Sequence, residues 1–214
     1  MKRRHFSALA AASLGAGFAR NALAQAPMPV AGQDYVKIGT PQPLTAPAGV
    51  VEVVEFFSFA CPHCFEFQGT LEAWIKRKPA YVQFRRSPVR FLQNYLNFQP
   101  MYFALEAMGL TDTLVQRVFN AVHLENQRLD KPEAIAAFMT KNGVDATRFM
   151  SVLNSFGVRT KVQQANQLMD AYGVSGVPTL AIQGRFLTSP GTAKGETQAL
   201  AVVDWLAGQI RSGH

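Results

Sequence analysis

The pattern of apolar residues predicts a strand, a helix and a second strand in the first half of the chain. Residues 49–60, GVVEVVEFFSFA, are mostly β-branched and aromatic, which is typical of a strand buried on both faces. From Cys64 to Ile75, apolar side chains recur every three or four residues, which indicates an amphipathic helix that ends before Pro79. Residues 81–89, YVQFRRSPV, predict a second strand, so these segments form a βαβ unit.

Helical spacing then dominates the middle of the chain, residues 95–173. Helices are predicted to begin near Phe98, Thr111, Lys131, Asp145 and Phe156. Asp130 and Asp145 precede two of these segments and are suitable N-terminal caps. His123 falls inside this block, and we expect it to be a structural helix residue rather than a catalytic one.

The last part of the chain predicts a β-hairpin and a closing helix. Strands are expected at 179–182 and 185–189, on either side of Gln183 and Gly184, a favourable pair for a tight turn. Apolar residues at helical spacing up to Ile210 then form one face of a final helix. The whole pattern is an α/β fold in which a βαβ half and a ββα half flank an all-helical insertion.

The chain divides into a leader, an arm and this α/β core. Its charged start and short apolar run predict a signal peptide, cleaved before Gln25. We therefore predict a signal peptide at 1–24, an extended arm at 25–47 with one short edge strand near 35–38, an α/β domain at 48–94 and 174–214, and a helical insertion at 95–173. No later segment has the apolar length needed to span a membrane.

Export changes what the charge implies about partners. The signal contains four basic residues and no acid, so its removal lowers the formal net charge from +7 to +3. The high charge of the precursor therefore says little about partners, and we expect no nucleic-acid partner. Export also places the cysteines in a compartment where disulfides persist.

The two cysteines, Cys61 and Cys64, are the only ones in the chain. A disulfide between them would close a four-residue loop, worth about 2 kcal/mol against nearly 5 for a loop of about 100 residues, so a purely structural bridge is badly placed here. A metal site needs about four ligands, and no third cysteine is available. A redox couple fits best, because a helix N-terminus stabilises the Cys61 thiolate, Pro62 suits the first turn, and His63 adds partial positive charge.

Two segments, EFFSFACPHC and GVSGVPTLAI, together with the helical block and the signal, resemble the DsbA family of periplasmic thiol:disulfide oxidoreductases. The resemblance covers nearly the whole mature chain and implies a thioredoxin fold with an all-helical insertion. It also implies that Pro178 is cis beside the disulfide, with the Val177 backbone offered to an extended substrate segment.

The family's chemistry implies the reaction and its partners. A substrate thiolate would attack Cys61 and expel Cys64, and a low Cys61 pKa would make the couple oxidising. Reduced exported polypeptides would be the substrates, and no cofactor is required. A quinone-linked membrane oxidase of the DsbB type would restore the disulfide.

Glu55 is the remaining candidate site residue. A carboxylate in a buried strand must be paired or protonated, and the resemblance implies that Glu55 handles protons for Cys64. The family's type member pairs this acid with a lysine on the next strand, but here Pro79 falls at that position, with Lys78 beside it. Glu52, by contrast, is expected to face solvent.

Two alternatives to a disulfide donor remain open from the sequence. One is a disulfide isomerase or reductase of the same fold. Periplasmic dimeric isomerases carry an N-terminal dimerisation domain, whereas only 36 residues, 25–60, precede Cys61 in the predicted mature chain, which leaves no room for such a domain and argues against this alternative. We expect a monomer. The other alternative is a non-enzymatic peptide-binding or chaperone module with an inert disulfide.

Overall fold

The computed structural model describes residues 28–90 and 97–213, in which helices lie on both faces of one β-sheet. The predicted signal peptide at 1–24 lies outside the described residues. The described elements are β1 (Val36–Lys37), β2 (Val51–Phe57), α1 (Pro62–Arg77), β3 (Val82–Pro88), α2 (Phe98–Ala107), α3 (Thr111–His123), α4 (Pro132–Lys141), α5 (Ala146–Leu153), α6 (Phe156–Ala171), β4 (Thr179–Ile182), β5 (Phe186–Thr188) and α7 (Glu196–Arg211).

The sheet of the described residues has five strands in the order β1-β5-β4-β2-β3. Strands β2 and β3 are parallel neighbours connected by α1, as the βαβ pattern predicted. On its other side, β2 pairs antiparallel with β4. The hairpin prediction is also confirmed, since Gln183 and Gly184 both have positive φ at the turn between β4 and β5. Strand β2 is therefore central and delivers the chain directly to Cys61.

Alternate residues of β2 are buried against helices on opposite faces of the sheet. Val51 and Val53 pack with α1 and α7, whereas Val54 and Phe56 pack against the end of α6. The indole of Trp74 in α1 donates a hydrogen bond to Asp204 in α7, at 2.7 Å. Because both faces are covered, all seven residues of β2 are buried, which explains why the strand is apolar apart from Glu52 and Glu55.

Helices α2 to α6 lie between β3 and β4 in the chain and share one large core. This core also includes Phe57, Phe59 and Cys64, so it reaches the cysteine pair. Asp145 caps α5 as predicted, accepting a hydrogen bond from the backbone of Arg148. The prediction for Asp130 is wrong: α4 begins after Lys131, and the Asp130 carboxylate binds the Arg128 guanidinium instead.

The predicted solvent-facing position of Glu52 is also wrong. Its side chain is only 1% exposed and accepts hydrogen bonds from the backbone and hydroxyl of Thr45. Arg85 in β3 donates to it as well, at 3.2 Å. The N-terminal arm therefore covers this end of β2, which alternation along one strand could not reveal.

Candidate functional site

Cys61 occupies the junction between β2 and α1. Residues 58–60 turn the chain, with the Cys61 backbone N–H donating to the Ser58 carbonyl at 3.0 Å. Cys61 is the N-cap of α1, and its sulfur accepts a hydrogen bond from the backbone N–H of Cys64 at 3.4 Å. Pro62 follows at the first helical position, where no N–H donor is needed. Both cysteines are free thiols, and Cys61 is partly exposed whereas Cys64 is buried.

The surroundings of Cys61 favour its thiolate. A hydrogen bond from the Cys64 thiol, the backbone N–H groups of Cys64 and His63, and the charge of His63 lower the pKa of Cys61 to about 6, although burial of the sulfur opposes them. These are the groups expected at a helix N-terminus, where unpaired N–H donors and the helix dipole stabilise an anion. Cys61 is therefore the sulfur of the pair that ionises first.

The surroundings of Cys64 have the opposite effect. Its hydrogen bond to Cys61, its burial and the nearby Glu55 charge all raise the pKa of Cys64 above its usual value. The side chain is 0% exposed and belongs to the helical core. The pair therefore combines an accessible thiolate with a buried thiol.

The Val177–Pro178 peptide bond is cis, as the resemblance implied. The Cys61 thiol lies 3.4 Å from the Val177 carbonyl oxygen, to which it can donate. The fold thus brings together residues 116 positions apart in the chain. Beside this contact lies a groove of about 570 Å³, lined by His63, Glu66 and residues 173–179 and 187–192, among others.

His63 lies at the solvent-exposed rim of the site. Its Nδ1 is 3.0 Å from the Glu66 carboxylate, one turn along α1. The hydrogen bond and the charge of Glu66 raise the pKa of His63, which favours the imidazolium form. Glu66 was not among the residues predicted from the sequence, although its spacing of three residues from His63 is the signal for such a pair.

Glu55 is a buried residue of β2 and pairs with Arg86. Its carboxylate accepts a hydrogen bond from Arg86 Nε at 2.8 Å, and Arg86 also donates to Glu72 at 3.0 Å and to Gln68 at 3.2 Å. Burial raises the pKa of Glu55, although Arg86 opposes this effect. The Glu55 charge in turn raises the pKa of Cys64, so the two groups are electrostatically linked.

The partner of Glu55 is therefore an arginine of β3, and not Lys78. Lys78 donates instead to the Val82 carbonyl, at 2.7 Å. In the parallel pairing of β2 and β3, Glu55 lies directly opposite Arg86. Sequence reasoning missed Arg86 because its position follows from the register between the two strands, which the apolar pattern alone did not determine.

His123 makes a second contact that the sequence did not predict. It is the last residue of α3, and its Nε2 lies 2.8 Å from the Phe59 carbonyl oxygen, two residues before Cys61. No spacing rule connects these positions, because the contact depends on how α3 packs against the turn. Across residues 28–90 and 97–213, no group of three or more His, Cys, Asp or Glu side chains could hold a metal ion.

Together, these features define a class of protein. A Cys-x-x-Cys pair at a helix N-terminus of a thioredoxin fold, beside a cis-proline, is the arrangement of a thiol:disulfide oxidoreductase. None of the helices within the described ranges is long and apolar enough to cross a membrane.

Comparisons with known proteins identify the family within this class. Residues 90–202 match the DSBA-like thioredoxin domain. The chain is 37% identical over 211 residues to the thiol:disulfide interchange protein DsbA of Burkholderia cepacia, covering 99% of this chain and 98% of that protein. It is 39% identical over 204 residues to the Bordetella pertussis protein of the same name, covering 95% of each.

Solved structures give the same result. The crystal structure of Pseudomonas aeruginosa DsbA superposes with a TM-score of 0.82 at 36% identity, covering 86% of this chain and 95% of that one. The oxidoreductase DsbA of Xylella fastidiosa superposes with a TM-score of 0.80 at 30% identity, covering 87% and 100%. The chain belongs to the DsbA family of thiol:disulfide oxidoreductases.

Proposed function

We propose that Cys61 and Cys64 are the redox pair of this oxidoreductase and that their disulfide is donated to reduced, newly exported polypeptides. The observation that carries the proposal is the position of Cys61. Its sulfur lies at the N-terminus of α1, has a pKa lowered to about 6 and faces the Val177 carbonyl beside the cis-proline. A sulfur in these surroundings is a good leaving group and is exposed enough for a substrate to reach.

The reaction proceeds through two thiol–disulfide exchanges. A substrate thiolate attacks the Cys61 sulfur, the Cys61–Cys64 bond breaks, and Cys64 leaves with the electron pair. A second substrate thiolate then attacks the substrate sulfur of the mixed disulfide and expels the Cys61 thiolate. Two electrons pass from the substrate thiols to the protein, and the substrate gains a disulfide.

Glu55 would supply the proton that Cys64 needs on leaving. The raised pKa of Cys64 favours its protonated form once the disulfide has opened. The raised pKa of buried Glu55 means that this carboxyl can hold a proton closer to neutral pH than an ordinary glutamate. Arg86 keeps its charge throughout and orients the Glu55 carboxyl through the bond at 2.8 Å.

Val177 and Pro178 would bind the substrate segment next to its reacting cysteine. The Val177 backbone lies at the Cys61 sulfur, so an extended peptide beside it would reach Cys61 with its own thiol. His63 would stabilise the Cys61 thiolate by its positive charge, because the pair with Glu66 favours the imidazolium. Pro62 would preserve the first turn of α1 that presents the backbone donors.

The proposed setting is the periplasm, where the predicted signal peptide would direct the chain. There a quinone-linked membrane oxidase of the DsbB type would return the Cys61–Cys64 dithiol to the disulfide. The relatives carry the name thiol:disulfide interchange protein, which supports an exchange partner of this chemistry. We expect the protein to act as a monomer.

The decisive experiment equilibrates purified residues 25–214 with graded glutathione buffers and measures the fraction of Cys61–Cys64 disulfide. A potential at or above roughly −180 to −210 mV, the poise of an oxidising compartment, would support a disulfide donor. Cys61→Ser should abolish oxidation of a reduced test protein, whereas Cys64→Ala should accumulate mixed disulfides.

The two alternatives give different results in this experiment. A reductase would equilibrate well below that range, and an isomerase would rearrange scrambled disulfides faster than it oxidises reduced chains. An inert disulfide in a peptide-binding module would not exchange with glutathione, and peptide binding would survive Cys61→Ser. Oxidase activity that persists without Cys61 would exclude the proposed mechanism.

A further inference from the structure

His123 contacts the chain on both sides of the cysteine pair. Its Nε2 lies 2.8 Å from the Phe59 carbonyl oxygen, in the turn that precedes Cys61. Its ring stacks on Phe65, which follows Cys64, with centroids 5.0 Å apart and an angle of 13° between the planes. One side chain of α3 thus joins the turn before the pair to the first turn of α1.

The contact with Phe59 determines where the imidazole proton lies. A carbonyl oxygen only accepts hydrogen bonds, so His123 Nε2 must carry the hydrogen in this bond. Protonation at Nδ1 would leave the bond in place, since Nε2–H is present in both the neutral and the cationic ring. The bond is therefore compatible with either charge state of His123.

The Phe59 carbonyl belongs to the turn that positions the Cys61 sulfur. Within this turn, the Cys61 N–H donates to the Ser58 carbonyl at 3.0 Å, and the Ala60 N–H donates to the Ser58 hydroxyl at 3.2 Å. The turn then presents Cys61 to the Cys64 N–H at 3.4 Å. A shift of the Phe59 carbonyl would move the Cys61 sulfur relative to the donors that stabilise its thiolate.

We propose that His123 is a positioning residue for the redox pair. It acts through Phe59 and Phe65: it holds the turn and the first turn of α1 in the arrangement that stabilises the Cys61 thiolate. The inference rests on the proposed function of Cys61 and Cys64. Loss of the His123 donor would make the Cys61 thiolate less stable. The disulfide would then be favoured over the dithiol, and the couple would be less oxidising.

Two substitutions separate the hydrogen bond from the ring stacking. His123→Phe keeps an aromatic ring beside Phe65 but has no donor for the Phe59 carbonyl. His123→Gln loses the ring but keeps an amide N–H that can donate to it. Ile135→Val is the control, because it removes one methyl group from a fully buried side chain in the same helical core and leaves His123 in place.

The measurement is the equilibrium between the Cys61–Cys64 disulfide and glutathione, together with the pH titration of the Cys61 thiolate absorbance. For His123→Phe we expect the equilibrium constant with glutathione to shift towards the disulfide by about threefold to tenfold. This is the change expected from the net contribution of one hydrogen bond. The titration midpoint of Cys61 should rise in the same variant. His123→Gln should restore most of both values, and Ile135→Val should match the wild type.

The other outcomes contradict either the inference about His123 or the proposed function, and the two can be distinguished. If His123→Phe unfolds more easily but keeps the wild-type equilibrium and titration, His123 is only a structural residue. If His123→Gln is no better than His123→Phe, the hydrogen bond to Phe59 is not the cause. A wild-type protein that fails to exchange with glutathione would instead overturn the proposed function, and His123 would then be judged by the thiolate titration alone.

Discussion

At the scale of single residues, two glutamates of the same strand show how neighbours determine a group's chemistry. Glu52 and Glu55 both lie in β2, and both are about 1% exposed. Burial would raise both pKa values, but hydrogen bonds from Thr45 and Arg85 lower that of Glu52, whereas burial prevails at Glu55 despite its bond to Arg86. Glu52 is therefore a fixed anion of the fold, and Glu55 is the carboxyl suited to gain and lose a proton.

Removing Arg86 should destabilise the protein strongly, because it would leave a buried carboxylate without its partner. Arg86→Leu is expected to cost about 3–5 kcal/mol of unfolding free energy in urea denaturation. The double variant Glu55→Leu, Arg86→Leu should recover most of this loss, since no buried charge is then left unpaired.

The matched control for this prediction is Arg90→Leu. Arg90 also forms an arginine–carboxylate pair, with Asp170, but both side chains of that pair are about half exposed. Its loss should cost at most about 1 kcal/mol. If Arg86→Leu and Arg90→Leu were equally mild, the Glu55–Arg86 pair would not be a buried ion pair in solution.

Glu66 should control the charge of His63. Because the Glu66 carboxylate raises the pKa of His63, Glu66→Gln should lower the midpoint of the His63 ring resonances in an NMR pH titration. The Cys61 midpoint should then rise slightly, since a smaller fraction of His63 carries positive charge. Glu125→Gln, at an exposed ion pair with Lys141, is the control. An unchanged His63 midpoint would contradict the pairing seen at 3.0 Å.

At the scale of elements, local sequence determined most of what the structure shows. The apolar run of β2, the helical spacing of α1 and the Gln183–Gly184 turn each depend on neighbours in the chain, and all three predictions were confirmed. Asp130 failed as a cap because its carboxylate binds Arg128 and the helix starts at Pro132. A cap residue and a nearby ion-pair partner compete for the same carboxylate, and the sequence does not show which prevails.

Two glycines can be compared to show why the β4–β5 turn needs glycine: because a side chain would not fit, or because the backbone has a left-handed conformation. Gly184 and Gly173 have nearly equal φ values, 63° and 62°. A Cβ at Gly184 would lie 2.3 Å from the Gln42 carbonyl oxygen, whereas a Cβ at Gly173 would have nothing within 4 Å. Gly173→Ala should therefore cost about 1–2 kcal/mol for the left-handed conformation alone. Gly184→Ala should cost about 1–3 kcal/mol more than Gly173→Ala, because its Cβ would also clash with the Gln42 carbonyl.

Thermal and urea unfolding of the two alanine variants would measure this difference directly. Equal losses would mean that the arm around Gln42 moves away from the turn at little cost. A larger loss at Gly184 would indicate that the arm is packed firmly against the sheet, in agreement with the Gln42 N–H donating to the Gly184 carbonyl at 2.8 Å.

At the scale of the whole molecule, the site is assembled from segments far apart in the chain. Cys61 meets Val177 from the second half of the fold, and the turn before Cys61 meets His123 from the helical segment. The cysteine pair could be assigned from a local motif, and the cis-proline from the family resemblance. The partners Arg86 and His123 depend on strand register and on helix packing, which one sequence does not encode in any short pattern.

The same assembly links the redox state of the protein to its stability. Only the dithiol form can ionise at Cys61, and the fold lowers the pKa of Cys61 from a usual value of 9.0 to about 6. An acid with a lowered pKa stabilises the folded state above its usual pKa, and this contribution is lost as the pH falls through the lowered value. The unfolding free energy of the dithiol form, relative to that of the disulfide form, should therefore increase as the pH rises from about 6 towards 9.

Urea denaturation of both redox forms between about pH 5 and pH 8 would test this linkage. The difference in unfolding free energy, dithiol minus disulfide, should grow with pH and flatten below about 6, where Cys61 is protonated in both the folded and the unfolded chain. Because Cys61 is only partly buried, water screens its interactions, which narrows the pH range over which the difference grows. Within that range the slope cannot exceed roughly 1.4 kcal/mol per pH unit, the value for one proton. A Cys61→Ser, Cys64→Ser variant, which has neither a thiol nor a disulfide, should follow the pH dependence of the disulfide form. A difference that does not change with pH in the native pair would mean that the fold does not stabilise the Cys61 thiolate, and the oxidising character proposed here would lose its physical basis.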